Sequence, residues 1–143
     1  MSTKGRYGLR AMVALAAHYG TGPVRVDVIA TEQDLSASYI HVLFGNLKAA
    51  GLVHSVRGPH GGYELTRKPT EITAYDVVSA LEGETVPVDC VGQPGNCSRA
   101  AACSTRDLWC QIADAVDGVL KSMTLASLAE TQHQDGQTPN YCI

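Results

Sequence analysis

Leu9, Met12, Val13 and Ala16 fall at i, i+3, i+4 and i+7, the spacing of one buried stripe on an α-helix. The stripe predicts a first helix from Gly5 to about Tyr19, and Gly20-Thr21-Gly22-Pro23 breaks it. A short helix follows around Val26–Gln33, with Ile29 and Ala30 inward. Ser36 then suits an N-cap, and Ile40, Leu43, Phe44 and Leu47 repeat the helical stripe to Ala50, where Gly51 stops it. The texture changes at Leu52-Val53-His54-Ser55-Val56-Arg57, a short β-branched run. Gly58-Pro59-His60-Gly61-Gly62 makes a turn-rich tip and Tyr63-Glu64-Leu65 returns, which predicts a β-hairpin with a long loop. A capping-box pair, Thr73 and Asp76, opens another helix that ends at Gly83. After a loop over residues 84–102, Leu108, Ile112, Ala115 and Val119 form a narrow stripe on a long helix from about Ser104 to Met123. Such a stripe fits a helix that packs against a partner. Thr124–Leu128 adds a short last helix, and residues 131–143 read as a flexible polar tail.

These elements predict a mainly α fold with a small β-hairpin wing, in which a winged helix-turn-helix is followed by a long dimerisation helix. The units are a DNA-binding part over residues 1–83, a cysteine-rich loop over 84–103, the long and last helices over 104–130, and the tail over 131–143. At 143 residues, 45% hydrophobic and 17% charged, the chain can bury one core. No apolar run approaches the ~18 residues of a membrane span, and Met1-Ser2-Thr3-Lys4 lacks the apolar stretch of a secretory signal. A cytoplasmic location is therefore expected, where five cysteines suggest metal or redox chemistry before a disulfide framework. The net charge of −3 is divided: residues 1–68 hold eight Lys/Arg and four acids, and residues 69–143 hold three basic and ten acidic residues. A net +4 half followed by a net −7 half suggests an anion-binding N-terminal part with a different task downstream.

Three short helices and a hairpin suit duplex DNA. A helix one groove wide sets side chains on base edges, while a Gly-rich hairpin brings backbone to phosphates or the minor groove. The face of the third helix opposite its apolar stripe carries Ala37, Ser38, His41, Val42 and Gly45, all small or polar enough to enter a groove, and Arg57 stands at the hairpin shoulder. The same positions also fit an ordinary solvated surface, and the same element order occurs in protein-binding modules. Three stretches are more specific: Ser2–Met12, Leu35–Ile40 and Gly51–Tyr63. Together they resemble the Rrf2 family of bacterial winged-helix repressors, and the resemblance covers nearly the whole chain. It implies a homodimer, joined by the long helix, that reads a palindromic double-stranded DNA operator. By the same resemblance Tyr7 contacts phosphate, Ser38 and Tyr39 enter the groove, and Arg57 is the minor-groove arginine. Lys4, His41, Gly58 and His60 complete the DNA-binding candidates. At position 41 the family carries glutamate, which accepts from cytosine N4; an imidazole reads bases differently.

Cys90, Cys97, Cys103 and Cys110 lie within 21 residues in the pattern C-x6-C-x5-C-x6-C. Structural zinc usually takes ligand pairs two to four residues apart. Widely spaced thiolates on a loop suit an iron–sulfur cluster. Zinc, a thiol switch and simple core cysteines remain alternatives on spacing alone. The family resemblance implies a 2Fe–2S cluster held by Cys90, Cys97 and Cys103. Where such members place a histidine ligand this chain has Arg106, which makes Cys110 a candidate fourth ligand, with a buried thiol beside Trp109 as the plain alternative. Some relatives take the last ligand from the partner's N-terminal region; the first helix here has no Asp or Glu, so that route would need His18 or another group. His18, His54 and His133 read as ordinary residues. Cluster loss would then change operator affinity, making the protein a cluster-controlled repressor that governs genes for iron–sulfur assembly or for cysteine and sulfur metabolism.

The ending Asn140-Tyr141-Cys142-Ile143 resembles family tails that dock through a terminal isoleucine into a cysteine synthase, which implies a further partner reached through Ile143. The rival reading is a repressor of cysteine metabolism with a metal-free thiol switch or zinc, controlled through that tail. No histidine or acid is spaced to activate one cysteine and no Gly-rich phosphate loop exists, so an enzyme is not expected.

Overall fold

The computed structural model describes residues 1–134. Ser2 caps α1 (Thr3–Ala17), its Oγ accepting from the Lys4 N–H at 3.2 Å. α2 (Val26–Gln33) ends at Asp34, whose φ of 52° makes it the one non-glycine residue in the left-handed region among those described. There the Leu35 N–H bonds the Ala30 carbonyl at 3.0 Å, which closes the turn and hands the chain to Ser36. Ser36 Oγ accepts from the Tyr39 N–H at 3.2 Å and opens α3 (Ala37–Ala49). α1, α2 and α3 enclose one core around Met12, Leu15, Ile29, Ile40, Leu43 and Phe44, all buried. The apolar positions that set the helical period are thus the ones in the core.

β1 (Val53–Val56) and β2 (Gly62–Leu65) pair antiparallel in the register Val53↔Leu65, Ser55↔Tyr63 and Val56↔Gly62. The hairpin is anchored to the helices by a third extended residue, Val24. Its N–H and carbonyl exchange 2.9 Å hydrogen bonds with the carbonyl and N–H of Tyr63. A Cβ on Gly62 would strike the Val24 carbonyl oxygen, so the close approach admits no side chain. Tyr63 then lays its ring edge-on to Phe44, with centroids 4.9 Å apart.

A 3-10 turn over Pro69–Glu71 leads to α4 (Ala74–Glu82). Its capping box is complete: Thr73 Oγ1 accepts from the Asp76 N–H at 3.2 Å, and Asp76 Oδ2 accepts from the Thr73 N–H at 2.8 Å. α5 (Asp89–Gly92) is a single turn, followed by 3-10 turns over Pro94–Asn96 and Ala100–Ala102. None of these three elements holds a buried residue. The long helix α6 (Arg106–Ser122) buries only Ala113. Backbone bonds from Ala74 to Met123 and from Leu125 to Ile72, at 2.8 and 2.9 Å, turn the chain back, and α7 (Leu125–Gln134) packs Leu125, Leu128 and Ala129 on the core.

The last helix is longer than its sequence pattern. The apolar positions stop at Ala129, yet the helix continues through residues 131–134, part of the stretch read as tail. Thr131 Oγ1 donates back to the Ser127 carbonyl at 3.0 Å. A polar final turn carries no apolar stripe for periodicity to detect. Tyr141, Cys142 and Ile143 lie outside the described residues.

Gly62→Ala should destabilise the fold by about 1–3 kcal/mol, because backbone rather than a movable side chain fills the space. Urea unfolding checks this, and an unchanged midpoint would contradict it.

Candidate nucleic-acid interface and cysteine loop

Ala37, Ser38, His41, Val42 and Gly45 are all exposed, and they line the side of α3 opposite its buried Ile40, Leu43, Phe44 and Leu47. Val42 is 60% exposed, an apolar contact of the kind a thymine methyl takes. His41 rests against the Tyr63 ring with centroids 6.2 Å apart, so the imidazole stands between the helix face and the wing. At the N-terminal end of α3, Tyr39 meets Tyr7 of α1 edge-on at 6.2 Å. Arg6 and Arg10 flank the Tyr7 ring at 5.6 and 5.4 Å. Arg10 also donates to the side chain and carbonyl of the buried Gln33. Lys4, half-buried, lies one turn from Tyr7 on the same helix. The result is a cationic and aromatic corner with hydroxyls, the chemistry that holds phosphate.

The wing places Arg57, Gly58 and His60 at its exposed tip. Lys48 Nζ donates to Ser55 Oγ at 2.7 Å and ties the end of α3 to β1, while His54 and Glu64 pair across the hairpin at 3.0 Å. His54 is therefore a strand cross-link. His18 likewise pairs with Glu32 at 2.8 Å between α1 and α2. The predicted contacts thus fall on three surfaces, the α1 corner, the outer face of α3 and the wing tip. Sequence reading passed over Arg6, Arg10 and Arg25. The first two share the helical turns of Tyr7, a signal that was available. Arg25 is visible only where the fold brings α2 beside the wing.

Among the described residues Cys90, Cys97, Cys103 and Cys110 are half-buried and form no disulfide. Cys90 sits in α5, Cys97 follows the Pro94–Asn96 turn, Cys103 follows the Ala100–Ala102 turn, and Cys110 occupies the second turn of α6. Cys103 therefore precedes α6 and does not share a helix with Cys110. Among the described residues no three His, Cys, Asp or Glu side chains converge as a metal site. The donor set nevertheless fits soft-metal chemistry. The Thr105 hydroxyl lies 3.3 Å from Cys103 Sγ, and its hydrogen bonds lower the Cys103 thiol below the ordinary range, toward the thiolate that ligation needs. Arg106 does not act as a donor to metal: its Nε donates to the Cys90 carbonyl at 3.3 Å and pins α5 to the start of α6. Thr85 Oγ1 adds a second tie, donating to Asp117 of α6 at 2.9 Å.

One carboxylate joins this loop to the α1 corner. Glu82, the last residue of α4, accepts from the Ser2 N–H at 2.6 Å, the Ser2 hydroxyl at 2.7 Å and the Gly5 N–H at 3.0 Å. A side chain at Gly5 would overlap the same carboxylate. Burial pushes the Glu82 carboxyl up, but the hydrogen bonds from Ser2 and Gly5 outweigh it, and the group lies below the ordinary glutamate range. The next residue, Gly83, begins the segment that runs to Cys90.

The chain is similar to known proteins over nearly its whole length. The pattern of a family described as Rrf2, iron-dependent transcriptional regulator, matches residues 1–131. The chain is similar to the HTH-type transcriptional regulator CymR of Bacillus subtilis, 42% identical over 141 residues, covering 99% of this chain and 96% of the relative. The structure of CymR, the global cysteine regulator of B. subtilis, matches with a TM-score of 0.77 and 44% identity, covering 92% of this chain and 96% of that one. The structure of T. potens IscR matches with a TM-score of 0.78 and 37% identity, covering 99% and 93%.

Because the Glu82 carboxyl is lowered in the fold, its stabilisation is full above the unfolded glutamate value and disappears as pH falls through the folded one. Glu82→Gln should therefore be less stable than the parent near neutral pH, with the difference shrinking as pH falls through the ordinary glutamate range, about 4.3, and below it. Urea midpoints across that range check this, and a difference independent of pH would contradict it.

Proposed function

This chain belongs to the Rrf2 family of transcriptional regulators, proteins that bind DNA and are not enzymes, and we propose that it is a dimeric repressor whose operator affinity is set through its cysteine loop. The observation that carries the reading is that the exposed outer face of α3 adjoins the wing, where His41 meets Tyr63, and adjoins the α1 corner, where Tyr39 meets Tyr7. α3 supplies Ser38, Tyr39, His41 and Val42 to base edges in the major groove. Arg57, with Gly58 and His60, reaches the adjacent minor groove. Lys4, Tyr7, Arg6 and Arg10 hold the phosphate strand beside the N-terminus of α3. His41 stands where the resemblance places a glutamate, so the base preference at that position differs from that of glutamate-bearing members.

Two copies join through α6. Its outer stripe, Leu108, Ile112, Val116, Val119 and Met123, is exposed at i, i+4, i+8, i+11 and i+15, and Val119 is 65% exposed. A 17-residue helix that buries one residue at home gains its packing from a second copy. The pairing sets the distance between two recognition helices and so matches an inverted-repeat operator.

Cys90, Cys97 and Cys103 would hold an iron–sulfur cluster, with Cys110 or an outside group completing the set. Such a cluster supplies a centre that is lost on oxidation or iron shortage. The chain's own part is to pass the state of the loop onward. Arg106 and the Thr85–Asp117 bond connect it to α6, and Gly83 connects it to Glu82 and thence to the N-terminus of α1. Similarity to a protein named a global cysteine regulator, with half-exposed free thiols and a lowered Cys103 thiol, favours a second reading: a metal-free thiol switch on the same loop, serving cysteine metabolism. Docking of Ile143 into a cysteine synthase belongs to that reading and concerns residues outside those described.

Two measurements test these proposals. Protein purified without oxygen and supplied with iron and sulfide should retain both in matching amounts with visible charge-transfer absorption, and Cys97→Ala should lose them. A colourless, iron-free product would transfer the reading to the thiol switch. Leu108→Glu with Val119→Glu should sediment as a folded monomer and lose most operator affinity; a dimer that still binds would refute the α6 interface.

A further inference from the structure

Between the outer face of α3 and the wing lies a groove lined by Arg25, Asp27, His41, Ser55, Gly61 and Tyr63. A duplex with α3 in its major groove and the wing in the next minor groove must pass one phosphate strand between those two elements. This groove is where that strand would pass. Arg25 is held there firmly at the backbone. Val24, just before it, is bonded on both sides to Tyr63 of the wing, and the Arg25 carbonyl accepts from Val28 and Ile29 in the first turn of α2, at 3.2 and 3.4 Å. Only the side chain is free to adjust, and both it and its neighbour Asp27 are well exposed, at 64% and 60%.

The side chain is held in a two-pronged ion pair. Arg25 Nε donates to Asp27 Oδ1 at 3.0 Å and Nη2 donates to Oδ2 at 2.8 Å. A guanidinium has five N–H donors in a rigid fork, so the other donors remain for a phosphate oxygen while Asp27 keeps its two. The carboxylate orients the cation but also cancels its charge beside the path of the phosphates. We propose that Arg25 binds the phosphate strand that crosses between α3 and the wing, and that Asp27 attenuates this contact as an intramolecular competitor. The proposal rests on the reading of α3 and the wing as the DNA-binding face. It gives this chain an affinity control seated in two adjacent side chains, separate from the cysteine loop.

The test uses the full-length protein, a palindromic duplex that it selects from random DNA, and an unrelated duplex of equal length. Fluorescence anisotropy across a salt series reads affinity and its salt dependence. Arg25→Ala should weaken both duplexes by a similar factor and reduce the slope of log K against log salt by about 0.9 for each protomer bound. Asp27→Asn keeps an oxygen for the Val28 N–H, which Asp27 now accepts at 3.2 Å, yet removes the charge. It should strengthen both duplexes by about threefold or more at low salt, the size of one unit charge about 6 Å from a phosphate in water. Unaltered affinity and slope in Arg25→Ala would overturn the proposal. So would equal weakening by both variants, the signature of a purely structural ion pair. Arg57→Ala and His41→Ala separate the two levels. If they weaken binding while Arg25→Ala does not, only the Arg25 assignment fails; if all three bind normally, the reading of the face fails with it. Thermal melting confirms that each variant is folded.

Discussion

The close approach of Gly62 to Val24 governs the rest of the reading surface. A two-stranded hairpin is marginal on its own in water. This one becomes part of the body because Tyr63 exchanges two backbone bonds with Val24 and sets its ring against Phe44 of α3. Val24 leads directly into α2, so the wing, α2 and α3 share one anchor. Any side chain at position 62 would force the strands away from Val24, and Tyr63 would leave Phe44. The angle between recognition helix and wing would change with it. DNA reading with one element in each groove requires that angle to be fixed, because each element then meets its groove without further ordering cost.

Against this rigid head stands a loop of the opposite character. From α5 to the start of α6 no element buries a residue, and its fixed points are few: Arg106 to the Cys90 carbonyl, Thr85 to Asp117, and the covalent step through Gly83. Poorly buried segments open at low free energy and are the natural seat of a switch. Glu82 is where the two regimes meet. Its carboxylate gathers three donors at the start of α1, the helix that carries Lys4 and Tyr7. A rearrangement of the loop therefore has a short mechanical route to the corner we propose holds phosphate, through contacts rather than through the core.

The helices of the reading head were legible because their apolar positions do two jobs. Ile40, Leu43, Phe44 and Leu47 define the period and are also the buried residues. The wing was legible from its turn chemistry, although the need for Gly62 is set by Val24, nearly forty positions earlier in the chain and invisible to local pattern. The same limit hid Glu82, whose partners lie 77 and 80 residues away. Arg25 and Asp27 read as ordinary charged positions until the fold set them between α3 and the wing. Cysteine spacing suggested a kind of ligand chemistry but carried no information on convergence, since three of the four thiols follow or occupy short turns whose relative placement no period encodes. The polar end of α7 escaped notice for the converse reason: its residues present no apolar period, although Thr131 still bonds back to the Ser127 carbonyl.

The most direct measurement selects duplexes from random DNA with anaerobic, iron- and sulfide-loaded protein and, in parallel, with the metal-free form, and then determines both dissociation constants on the enriched sequence. A DNA reader governed by its cysteine loop predicts an inverted repeat whose affinity differs by about tenfold or more between the two forms. Enrichment of no inverted repeat, or equal affinities of the two forms, would contradict it.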